Sequence, residues 1–183
     1  MKKTVWTFGL IAGVVLSAMM LITMPFADQI GMGRAEVVGY TSMVAAFLLV
    51  FFGVRSYRDN VAGGSVSFGR AFGAGLLIVL IASVIYTLSW QVVSRRFYPD
   101  FVNKYRDAQI AQIRASGKSQ AEMDKALADA NRFAEMYKNP VMNVALTMLE
   151  PLPVGIVIAL VSAGVLSRRK RGAIPYAAVI SSS

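Results

Sequence analysis

The sequence predicts an all-α, polytopic membrane protein: four transmembrane helices, with an extracytoplasmic amphipathic helical hairpin between the third and the fourth. Three observations predict it. The 183-residue chain is 56% hydrophobic and only 16% charged, where an ordinary soluble protein carries roughly 25% charged residues. Its mean hydropathy is +0.54. The charges are also bunched, leaving four runs that approach or exceed the ~18 apolar residues of a candidate span across a ~30 Å hydrocarbon layer.

The first span, about 4–27, is charge-free after Lys2 and Lys3. It exceeds the roughly 7–15 residues of a signal h-region and lacks a good A-x-A-like site, so it is expected to remain as an anchor. The second span, about 37–54, lies between Glu36 and Arg55, and the third, about 70–94, ends at Arg95. The fourth run, between Lys138 and Arg168, contains Glu150. Pro151 to Ser167 is by itself about 25 Å of helix at ~1.5 Å per residue. The span is therefore placed at about 150–167, with Glu150 at the outer interface. The single membrane domain fills residues 1–183, and residues 97–139 form the insert.

Basic residues set the expected orientation. Lys2 and Lys3, then Arg55, Arg58 and Arg70, then Arg168, Arg169, Lys170 and Arg171 fall on one side, with Asp59 as the acid among them. The positive-inside rule makes that side cytoplasmic, with both termini there. Arg95 and Arg96 run against the rule locally, and the remaining charges of the insert lie far from helix ends, where the bias carries little weight. The pI of about 10.1 follows from these topogenic residues without a nucleic-acid partner; the partner they imply is the lipid bilayer.

The second connection, "GVRSYRDNVAGGSVSFGRAFGAG" from Gly53 to Gly75, is basic and glycine-rich. Arg55, Arg58, Asp59 and Arg70 are candidate functional residues, read most simply as cytoplasmic retention charges able to touch anionic headgroups. Its glycine spacing fits neither phosphate-binding fingerprint, G-x-x-x-x-G-K-[ST] or G-x-G-x-x-G. Gly63 and Gly64 read as a turn, and Ser65 or Ser67 as the N-cap of the third span.

Three elements carry a resemblance: "GVRSYRD" at Gly53–Asp59, "GGSVSFG" at Gly63–Gly69 and "EPLPVG" at Glu150–Gly155. On them the chain, over about residues 5–170, resembles the bacterial membrane-protein family called domain of unknown function 4199. The resemblance implies a small four-span protein with a long loop before the last span. It implies no activity, cofactor or site residue.

Within the insert, Phe97, Phe101, Tyr105 and Ala108 share one helical face. Gly117 stops that helix, and Ser119 to Glu122, "SQAE", is a capping box that starts a second. Met123, Leu127, Ala130, Ala134 and Tyr137 share a face there, beside Phe133 and Met136, until Asn139-Pro140 ends it. Two such helices can pack on each other, lie on the outer leaflet, or offer a partner-binding face built from Phe101, Tyr105, Leu127 and Phe133.

Chemistry is sparse. The chain has no histidine and no cysteine, which removes the commonest metal ligands, the commonest general base and thiol chemistry. The insert's acids alternate with lysines and arginines as on a solvated face. No catalytic set, cofactor site or metal site is predicted. Glu150 alone among the acids falls within an apolar run, and intramembrane carboxylates are functional by default. Against that, Pro151 fits the first position of a helix that Glu150 would start at the favourable end of its dipole.

Small residues mark helix-packing lines: Gly69 with Gly73, Ala71 with Gly75, Gly9 with Gly13 and Ser17, and Gly155 with Ala159 and Ala163. Packing within the bundle is the expectation, homo-oligomerisation the lesser alternative. The sequence thus predicts a non-enzymatic protein of the bacterial inner membrane with a structural, scaffolding or interaction role, its partner another membrane or extracytoplasmic protein. The alternative is a small transporter or ion-coupled subunit using Glu150. The two differ in whether a second polar group faces Glu150 along a lined path.

Overall fold

The structure, a computed structural model, describes residues 1–167, apart from the side chains of Ala27, Asp28 and Met32. The basic cluster Arg168, Arg169, Lys170 and Arg171 lies outside the described residues. All regular structure among the described residues is helical: α1 Lys2–Thr23, a 3-10 turn Met24–Phe26, α2 Ala27–Ile30, α3 Met32–Asn60, α4 Phe68–Phe97, α5 Phe101–Ala115, α6 Gln120–Lys138, α7 Pro140–Leu149 and α8 Leu152–Leu166. Four stretches are long and apolar enough to cross a membrane: Lys2–Phe26, Gly33–Asn60, Phe68–Phe97 and Pro140–Leu166.

The bundle is assembled on small residues. Gly9 and Gly13 of α1 lie against Ile81 and Ile85 of α4, and one turn further Ser17 Oγ donates to Ser89 Oγ at 2.9 Å, so α1 and α4 run parallel. Gly155 of α8 abuts Val79 of α4, and Gly75 of α4 abuts Ala159 of α8, so these two run antiparallel. Gly53 of α3 receives Ile78 and Phe8. Phe47, Val50 and Val54 of α3, with Leu16, Ile78 and Val79, form the fully buried centre. Without a hydrophobic force between helices in lipid, close backbone approach of this kind carries the association. Trp6, Leu10 and Val14 on α1, Leu88 and Val92 on α4, and Val157 and Val161 on α8 stay exposed, as suits faces turned to acyl chains.

Three sequence expectations change. Among the described residues, a Cβ built on Gly69 or Gly73 would meet nothing within 4 Å; α4 turns the neighbouring line of Ala71, Ala74, Gly75 and Ile78 inward. The fourth apolar helix starts at Pro140, not near 150. Asn139 is its N-cap, its side chain accepting from the amides of Val141 and Met142, and Pro140 takes the first position, where a missing N–H costs nothing. Glu150 is consequently the C-cap of α7 and not the start of α8. Pro151 and Pro153 supply no amide to the carbonyls four residues back, which explains why the helix breaks between α7 and α8.

At the opposite end, Gly63 (φ 69°) and Gly64 (φ 85°) make the turn between α3 and α4. Ser67 holds the N-cap position of α4, though its side chain caps no amide.

Candidate functional site

The cleft forms where the helices part. α5 and α6 lie against each other, joined at Gly117 (φ 66°), and α6 begins with the Ser119–Glu122 capping box. The inward face of the pair meets the last turns of α4 through a closed circuit of rings. Trp90 meets Phe101 edge-on at 4.8 Å between centroids, Phe101 stacks with Tyr105 at 6.0 Å, Tyr105 meets Phe133 at 6.0 Å, and Phe133 meets Tyr137 at 5.7 Å. Trp90 Nε1 closes the circuit by donating to Tyr137 Oη at 2.5 Å. Phe101, Tyr105 and Phe133 therefore contact one another, Trp90 and Tyr137 within the chain, and each is half-buried. Leu127 is half-buried and stands outside this circuit.

These aromatics hold the insert off the bundle axis and leave a cleft of about 680 Å³ between the insert, the far ends of α1 and α3, α4 and α7. That is within the range of about 300–1,000 Å³ of small-molecule sites. Its wall carries two carboxylates, each met by a tyrosine from another helix. Tyr86 Oη, on α4, donates to Glu150 Oε2 at 3.4 Å. Tyr105 Oη, on α5, donates to Glu36 Oε1 at 2.8 Å and accepts from Gln109 Nε2 at 2.8 Å. Burial first, then the bond to Glu36, pushes the Tyr105 phenol above its usual range, and burial does the same to Tyr137. Both stay neutral phenols. Gln91 Nε2 donates to Asn143 Oδ1 at 2.6 Å, tying α4 to α7. The hydroxyls of Ser83 and Thr87, at the same level of α4, are buried without a hydrogen-bond partner, so the interior around Tyr86 is more polar than the half beyond it.

Of the residues singled out from sequence, Glu150 lines the cleft, together with Phe101, Tyr105 and Phe133. Arg55, Arg58, Asp59 and Arg70 do not. Asp59 pairs with Arg58 at 2.6 Å and Arg55 at 3.6 Å on the surface at the end of α3, and Arg70 is exposed at the start of α4. Glu36, Tyr86, Trp90 and Tyr137 were not singled out as site residues. Glu36 marks the edge of an apolar run, which hides any other role. Tyr86 and Trp90, one turn apart in a charge-free helix, are the signal that was available: polar-tipped rings in an apolar helix need partners for those tips. Among the described residues, no group of three or more acids is placed to hold a metal ion.

The chain belongs to the family described as protein of unknown function (DUF4199), whose model matches residues 7–168. No match was found among curated proteins or among solved structures.

Proposed function

We propose that this chain is a non-enzymatic, ligand-binding protein of the bacterial inner membrane, a small transporter or ion-coupled subunit, with Glu150 as the group that engages what is bound. One observation carries the reading: a carboxylate at the break between the two halves of an apolar stretch faces a polar partner, Tyr86, on the wall of a cleft. Glu150 follows Pro140 by ten residues, about 15 Å at ~1.5 Å per residue. The 27-residue stretch Pro140–Leu166 is about 40 Å long, roughly 10 Å more than the hydrocarbon layer. If all that excess stood outside on the insert side, Glu150 would still be about 5 Å inside, and about 10 Å inside if it were shared. Tyr86 gives the same level, since it precedes Arg95 by nine residues on α4, about 13 Å. An interfacial cap would need no such depth, and intramembrane carboxylates mark ligand and ion pathways.

The break at Glu150–Pro151 supports the same reading. Discontinuous membrane helices bring half-helix ends, with their partial charges, to a binding site at mid-depth. Beyond it α4 and α8 close on each other where Gly155 meets Val79 and Gly75 meets Ala159, which supports a cleft that opens toward the insert. The distribution of basic residues favours termini and an Arg55–Arg70 connection in the cytoplasm, and with that orientation the cleft mouth is extracytoplasmic. A scaffolding role has less support, because most of the face that would serve it is engaged internally.

The chain has no native cysteine, so accessibility tests it directly. Glu150→Cys should react with a small charged thiol reagent applied to the side on which Gln120→Cys reacts, while lipid-facing Val157→Cys stays protected. A protected Glu150→Cys beside a labelled Gln120→Cys would remove the proposal.

A further inference from the structure

We propose that the cleft takes an organic cation, an alkylammonium group; this rests on the reading of the cleft as a ligand site. The charge on its wall has one sign. Glu36 and Glu150 line it, and among the described residues no lysine or arginine does. Each carboxylate receives one tyrosine hydroxyl, which leaves acceptor capacity on both, since a carboxylate offers about four lone-pair sites. An ionised Glu150 at its depth needs a counter-charge, and the cleft wall supplies none. A cationic ligand would.

The rest of the wall selects the kind of cation. Tyr40, Tyr86, Trp90, Phe101, Tyr105 and Tyr137 all line the cleft. Aromatic faces attract ammonium groups through the ring quadrupole, and tryptophan and tyrosine are the rings that hold quaternary ammonium in aromatic cages. A bare metal ion fits worse, because hard cations take about six to eight oxygen ligands in one shell and no group of three acids converges among the described residues. The cleft volume, about 680 Å³, also suits a molecule with an apolar body better than a single ion. Anionic ligands meet two carboxylates without a basic partner.

The chain carries its own reporter. It has two tryptophans: Trp6 is 57% exposed on the outer face of α1, and Trp90 is 5% exposed at the cleft wall. Trp6→Phe therefore leaves Trp90 as the sole tryptophan. The full-length Trp6→Phe protein in a neutral detergent is titrated with choline and with 3,3-dimethyl-1-butanol, the uncharged carbon isostere of choline. A saturable change in Trp90 emission with choline, and a response to the isostere about tenfold weaker or less, is expected. Adding Glu150→Gln should weaken the choline response by about tenfold and lower the choline-to-isostere ratio; that ratio in the Trp6→Phe protein decides the matter even if the Glu150→Gln variant fails to fold.

Equal responses to both compounds would overturn the inference while leaving a ligand site. No response to either, with Glu150→Cys still labelled by the thiol reagent, would do the same. No response together with a protected Glu150→Cys would remove the ligand site as well. The source of the ammonium is read in nanodiscs. A choline response present in phosphatidylglycerol discs and already saturated in phosphatidylcholine discs assigns the group to a lipid headgroup, and equal responses in both assign it to a soluble molecule.

Discussion

The two halves of this bundle use the same helices in opposite ways. Toward the Arg55–Arg70 connection, Gly53, Gly75, Gly155 and Ala159 let α3, α4 and α8 approach until side chains of one helix touch the backbone of the next. Toward the insert, α4 presents Tyr86 and Trp90, the partner helix breaks at Glu150–Pro151, and a cleft of about 680 Å³ opens. Small residues close one end, and large rings with polar tips prop the other apart. A packed end acts as a fixed base, while the propped end can hold something other than protein.

The largest effect should come from breaking the closed half. A Cβ built on Gly155 would lie 2.4 Å and 2.9 Å from the two methyls of Val79 and 3.2 Å from Phe47 Cζ. Val79 is short and stiff at χ1, and both neighbours are fully buried, so neither yields easily. Gly155→Ala should cost about 1–3 kcal/mol, and Gly155→Leu should prevent recovery of folded protein. Gly73→Ala, with nothing within 4 Å, should be neutral or slightly stabilising, since alanine is the better helix former by about 1 kcal/mol or less. Denaturant titration in detergent checks the pair. Equal losses at Gly155 and Gly73 would show that the two positions do not differ in packing.

A middle effect should come from loosening the open half. Tyr137→Phe removes the acceptor of buried Trp90 Nε1 and the hydroxyl facing Thr147 Oγ1 at 3.5 Å. A buried donor left without a partner costs about 1–3 kcal/mol. The cleft runs beside Trp90, so water can replace part of the lost bond, and a loss of about 1 kcal/mol is expected. In the Trp6→Phe background, Trp90 emission should shift to the red. An unshifted spectrum would mean that Tyr137 does not hold Trp90.

The closed half was far more legible in the sequence than the open one. Charge-free runs and small-residue spacing are local signals, and they gave the helices and the Gly155–Ala159 line. They did not separate Gly69 and Gly73 from Ala71 and Gly75, because adjacent lines on one helix differ only in which way the helix is rotated, and its neighbours decide that. The fourth helix was shortened because Glu150 and Pro151 look like a boundary when read alone. Asn139-Pro140 is equally a helix start, and it ends α6 as it begins α7. The cleft itself rests on pairings such as Tyr105 with Glu36 and Tyr86 with Glu150, far apart in sequence, and no local pattern announces them.

The smallest effect should arise where the open half is least coupled to the rest, at the start of α6. Ser119 Oγ and its backbone N–H both donate to Glu122 Oε2, at 2.7 Å and 3.1 Å. The Ser119 side chain first, then its amide, holds the Glu122 carboxyl below the usual carboxylate range. A carboxylate depressed in the folded state adds stability that is present above its unfolded pKa, about 4.3, and is lost as pH falls through the folded value. Ser119→Ala should speed amide exchange in the first turn of α6 at neutral pH, and its difference from the wild type should narrow as the medium is acidified and Glu122 takes up a proton. Glu122 is fully exposed and Ser119 belongs to the turn after Gly117, so protection in α4 and α8 should not change. Faster exchange around Trp90 in Ser119→Ala would instead mean that the outer end of the insert and the cleft wall open as one unit, and the division of the molecule into a fixed base and an independently propped end would have to move outward to the turn.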